Sequence, residues 1–151
     1  MKMLKTISFI CYGLVALLGF VFAFIYLTRP EFMPYHADAV GMSWENVDAN
    51  MKVLIIALMR VSGGGWLATS LAISFLLIAG RKFKKFWLKV ALVSVGLAAL
   101  TPTLYATLYV KTYSPAEPPW IAAAVAIVIL LLALTLEFIG LQKSKVENRK
   151  S

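Results

Sequence analysis

Cysteine is almost missing from this chain: Cys11 is the only one in 151 residues. That rules out a disulfide within the chain and a multi-cysteine metal site. It also rules out a Cys-x-x-Cys redox pair and the stapled outer loops on which some four-span proteins rely. Cys11 lies inside an apolar run and reads as a small buried side chain. Ser8-Phe9-Ile10 ahead of it lack the small residue that a lipid-attachment site requires. Histidine is as scarce. His36 is the sole imidazole, and no serine or cysteine stands in a signature context with it. A catalytic zinc centre needs three protein ligands, and His36 with Glu31, Asp38, Glu45 and Asp48 shows no ligand spacing. No catalytic residue, metal or cofactor is assigned from the sequence.

Acidic residues are few, seven against fifteen Lys and Arg, for a net charge of +8. The basic residues stand beside the ends of apolar runs rather than in a nucleic-acid-reading module, so no nucleic-acid partner is expected. What the chain has in abundance is apolar length. It is 61% hydrophobic with mean hydropathy +0.83, against roughly 45–50% apolar for soluble domains. Four runs reach the ~18 residues that suggest a bilayer span. They place spans at about 7–27, 53–80, 87–110 and 120–141, with outer loops 28–52 and 111–119, an inner loop 81–86 and a tail 142–151. The expected fold is all-α: a polytopic membrane protein, one integral domain over 1–151 forming a four-helix transmembrane bundle. The first run exceeds the ~7–15 residues of a signal-peptide core and reads as a span.

Charge sets the expected orientation. The start, the inner loop region and the tail hold eleven of the fifteen basic residues and one acid, Glu147. The opposite loops hold Glu31, Asp38, Glu45, Asp48 and Glu117 against Arg29, Lys52 and Lys111. The positive-inside rule puts both termini in the cytoplasm, with a bacterial inner membrane as the expected location. The run RKFKKFWLK (81–89) reads as an anchor on anionic lipid.

Local signals refine this picture. Pro30 and Pro34 are expected to break any helix in the long loop, and Asp48 to N-cap the helix that follows, with Ser43 as the earlier alternative. Thr101-Pro102 predicts a kink in the third span. Small residues predict where helices touch. Gly19 and Ala23 continue a stripe on the first span, and Gly64, Ala68 and Ala72 form a ladder on the second.

Two charges fall in or beside spans. Arg60 reads as an interfacial anchor paired with a loop acid, or as a buried charge in a ligand or ion pathway. Glu137, about a turn from the inner end of the fourth span, reads as snorkelling or as an embedded carboxylate, at the opposite face from Arg60. Trp66, His36 and Asp38 complete the candidate ligand or ion pathway. The leading expectation is a non-enzymatic bundle, serving as an accessory subunit or binding a lipid-like molecule between helices. A transporter or channel subunit using Arg60 and Glu137 is the alternative, and a membrane enzyme with its polar groups in loop 28–52 is the third. Expected partners are the lipid bilayer and a second copy or partner membrane subunit.

Overall fold

The structure, a computed structural model, describes residues 2–150 and the side chains of residues 3–143. It is all helical. Among the described residues the elements run α1 (Lys2–Thr28), α2 (Pro34–Val40), a 3-10 turn (Trp44–Asn46), α3 (Ala49–Phe83), α4 (Phe86–Tyr113) and α5 (Trp120–Lys150). Four of these, α1, α3, α4 and α5, are long and apolar enough to cross a membrane. Each span extends beyond its apolar run, because polar flanking residues continue the helical hydrogen bonding without cost once outside hydrocarbon. The fourth continues as helix to Lys150, where a short tail was expected; the side chains of Lys145, Glu147, Arg149 and Lys150 lie outside the described residues.

The four long helices pack as a ring. α1 lies against α3 and α5, and α4 against α3 and α5. The start of α1 and the end of α5 fall at one end of this ring, with the α3–α4 turn (the terminal end); α2 and the α4–α5 connection cap the other (the loop end). The central core is built from Tyr12, Val15 and Ala16 of α1, Ile73 and Leu77 of α3, Leu92, Val93 and Leu100 of α4, and Ala126, Leu130 and Ala133 of α5. Where packing replaces the hydrophobic effect, small residues set the distance between helices. A β-carbon on Gly19 would overlap the Ser70 hydroxyl, so α1 and α3 meet there at glycine distance. Gly96 gives way in the same manner to Leu130 of α5. Gly19 and Ala23 are both buried.

The α3 ladder needs correcting. Gly64 would meet nothing within 4 Å if it carried a β-carbon, and Ala68 is exposed, with Ala72 only half-buried. Within the chain the α3 seam runs through Gly63, Ser70, Ile73, Leu77 and Gly80 instead. The register follows the larger inward residues Ile73 and Leu77, which make packing contacts across the core that the ladder's small side chains cannot. Gly63 then faces Leu27 and Tyr26 of α1, where a β-carbon would stand 2.8 Å from Leu27 Cγ.

The long loop is also more ordered than its prolines suggest. Pro34 does not break a helix but opens one, at the position where its missing N–H costs nothing. α2 ends at Gly41 in a left-handed conformation (φ 70°) that glycine adopts freely. A second cluster, Phe32, Val47 and Met59, seats this loop on α3. Asp48 caps α3 as expected, its carboxylate accepting from the N–H groups of Asn50 and Met51. α4 remains helical through Pro102. From Thr101 to the end of that helix no residue is buried, whereas six residues before it are. The loop-end half of α4 therefore stands away from the core.

Candidate functional site

That separation opens a crevice of about 440 Å³ at the loop end, between α3 and α4 and beneath α2. Its volume lies within the ~300–1,000 Å³ usual for small-molecule sites. Ile55, Leu58 and Met59 of α3 and Ala106 and Val110 of α4 form its apolar walls. Trp66 lies at its inner end and also borders a smaller cavity of about 50 Å³ that reaches Leu18, Leu100 and Ala123. Tyr26, Tyr35, Thr103 and Thr107 line both spaces, so the crevice continues inward towards α1 and α5.

Polar groups stand both at α2 and along the walls. The Tyr26 and Tyr35 hydroxyls hydrogen-bond one another, which ties α2 to the end of α1. Burial first, and then that hydrogen bond, hold the Tyr35 hydroxyl well above its ordinary pKa. His36 is half-buried, edge-on to Tyr35 with ring centroids 4.3 Å apart and edge-on to Phe32. Desolvation lowers its pKa, so the ring is neutral. The Met33 N–H points at His36 Nδ1 (3.4 Å), which assigns the proton of the neutral ring to Nε2. Thr103 and Thr107 donate their hydroxyl protons to α4 carbonyls, leaving lone pairs as acceptors. No Asp, Glu, Lys or Arg lines the crevice. The site thus offers N–H donors from His36 and Trp66, hydroxyls from Ser62, Thr103 and Thr107, and an apolar slot, without formal charge.

Two sequence candidates, Trp66 and His36, stand in this wall. Asp38 does not; it is exposed on α2. The other loop acids each have a local role. Glu31 pairs with Arg29 (3.0 Å), Asp48 caps α3, and surface Glu45 is held below its ordinary pKa by its own backbone N–H and then by Ser43. Among the described residues no three His, Cys, Asp or Glu side chains converge as metal ligands would.

Arg60 finds backbone rather than a loop acid. Its guanidinium donates to the Tyr26 carbonyl (2.6 Å) and the Arg29 carbonyl (2.8 Å), closing the end of α1 from α3. The last carbonyls of a helix lack internal partners, and an arginine supplies them well. Glu137 does not snorkel. It is buried at the α4–α5 interface and pairs with Lys89, Nζ to Oε1 3.3 Å, the side chains 8% and 11% exposed. The Lys89 ammonium also lies 5.6 Å from the centre of the Tyr12 ring. Arg60 and Glu137 are thus engaged at opposite ends of the bundle.

Sequence reasoning missed Tyr35, Thr103 and Thr107 in the crevice and Lys89 in the ion pair. Thr103 and Thr107 are four residues apart after a proline, a polar stripe that the sequence displays. Comparison of the chain with protein-family models, with curated proteins and with solved structures finds no match.

Proposed function

We propose that this protein binds a neutral amphiphile drawn from the bilayer, its tail between α3 and α4 and its head beneath α2. The observation that carries this reading is the uncharged crevice, largely apolar along α3 and α4, with hydrogen-bonding groups at α2 (Tyr35, His36) and hydroxyls of Ser62, Thr103 and Thr107 on its walls. A phosphate headgroup would lie there against no cation, at the penalty of a buried unpaired charge. A hydroxyl head suits it better, donating to Thr103 or Thr107 and accepting from His36 Nε2, whereas a carbonyl head accepts from His36 alone. With the charge bias applied, the termini lie in the cytoplasm of a bacterial cell and the crevice opens into the outer leaflet.

The test uses a photoactivatable diacylglycerol in membranes carrying the full-length protein, beside a phosphatidic-acid probe with the same tail. Preferential labelling of residues 55–66 and 103–110 by the neutral probe is expected, and Ala106→Trp, which fills the slot, should suppress it. Equal labelling by both probes, or undiminished labelling of the filled variant, would overturn the reading.

A second reading, the accessory subunit, draws support from the outward-facing Gly64 and Ala68. A partner helix could approach closely there. Cross-linking in native membranes should then yield a stoichiometric partner lost with Gly64→Leu, and a complex indifferent to that change would exclude this face.

A further inference from the structure

The terminal end holds a cavity of different chemistry, about 300 Å³ between the start of α1, the α3–α4 turn and α5. Lys5 of α1, Arg81 of α3, Lys84 and Lys85 of the turn and Lys89 of α4 all line it. Its single acid is Glu137, which Lys89 already neutralises. Among the described residues the other four cations have no carboxylate partner. Four like charges facing one crevice repel, and an anion between them removes that penalty.

The crevice is shaped, not merely charged. Gly80 leaves room for Lys89 to reach Glu137; a β-carbon there would stand 2.9 Å from Lys89 Cε. The Arg81 guanidinium is held 4.4 Å above the centre of the Phe9 ring. Lys84 takes a left-handed backbone (φ 52°), a conformation that favours glycine. As the C-cap of α3, it turns the chain so that Lys84 and Lys85 both line the cavity. Phe9, Phe86 and Leu141 give the cavity an apolar side.

We infer that this crevice is a phosphate-binding site, its cations gripping the phosphate oxygens of a phospholipid headgroup or of a soluble phosphate. It differs from diffuse attraction of a basic loop to a charged surface. It is also independent of the crevice at the loop end. Lys82 supplies the control, since it belongs to the same basic run and is as exposed as Arg81 and Lys85 yet does not line the cavity.

The experiment titrates full-length protein in neutral detergent with dioleoylphosphatidylglycerol, dioleoylphosphatidylcholine or inorganic phosphate, reading the thermal midpoint by tryptophan fluorescence. Wild type should be stabilised saturably by the glycerol lipid and not by the choline lipid. Arg81→Gln and Lys85→Gln should each weaken apparent affinity about tenfold, the loss of one charge-assisted contact. Lys82→Gln should change it by no more than about twofold. Stabilisation by the lipid alone assigns a lipid headgroup, and by inorganic phosphate alone a soluble ligand; either supports the site. Equal weakening by Lys82→Gln and Lys85→Gln, or no stabilisation by lipid or phosphate, would overturn it. Should Arg81→Gln misfold, Lys85→Gln on the exposed turn decides alone.

Discussion

Lys89 and Glu137 close an ion pair across the α4–α5 interface where the apolar runs of both helices end, Nζ to Oε1 3.3 Å, beside the Tyr12 ring. Each charge would be costly there without the other. Glu137→Gln or Lys89→Met alone should therefore destabilise the bundle by about 3–5 kcal/mol, the usual cost of stranding a buried charge. The double variant Lys89→Met with Glu137→Leu should regain most of the loss. A double-mutant cycle of unfolding in micelles measures this, and additive losses would show that the pair is not coupled.

Gly19 and Ser70 face one another where α1 packs on α3. A methyl at Gly19 would overlap the Ser70 hydroxyl, yet it would stand 3.6 Å from Ser70 Cβ and 3.5 Å from Trp66, ordinary contact. Gly19→Ala should cost about 1–3 kcal/mol by overpacking. The Ser70 hydroxyl is buried with no hydrogen-bond partner among the described residues. Ser70→Ala should thus be neutral or stabilising and should rescue Gly19→Ala. Thermal midpoints of the three proteins give the answer, with Gly64→Ala expected to be silent in the monomer.

Arg60 joins α3 to the end of α1 through two carbonyls. Charged hydrogen bonds of this kind contribute about 1.5–3 kcal/mol. Arg60→Gln should raise amide exchange over residues 26–40 while leaving the α4–α5 half protected. Uniform loosening of the whole bundle would contradict a local capping role.

Acid should loosen the loop-end cover. The folded pKa of His36 is lowered by burial, so the unfolded loop takes up its proton first. Stability from the neutral, packed ring is present above the unfolded value of about 6.5 and is lost as pH falls from there through the folded value. Trp44 lies edge-on to Phe32, which is edge-on to His36. Amide exchange over residues 32–47 should rise below about pH 6.5, and His36→Asn should flatten the profile.

The four spans and the Asp48 cap were legible because hydropathy and capping are properties of neighbouring residues. The Gly19 and Ala23 face was legible for the same reason. The α3 seam was not. Three consecutive glycines present small surfaces on successive faces of the helix, and only Ile73 and Leu77 decide which face turns inward. Lys89 was hidden by its company: in sequence it belongs to a basic run, but it shares a helical face with Leu92, Val93 and Gly96. Glu137 likewise follows Leu130 and Ala133 on the inner face of α5. Helical phase applied to charged residues would have paired them. The crevice depends on α2 folding back and on α4 standing clear of the core, and neither is a local property.

With no buried residue beyond Leu100, the loop-end half of α4 meets the protein only through half-buried residues, and in a bilayer its exposed side would face acyl chains. The surrounding lipid is then part of the pocket wall. Bilayer thickness and lateral pressure become variables of the site, because a mismatched span adjusts by tilting. On the proposed reading, affinity there would belong to the protein together with its membrane, and a preparation stripped of lipid would sample a different pocket.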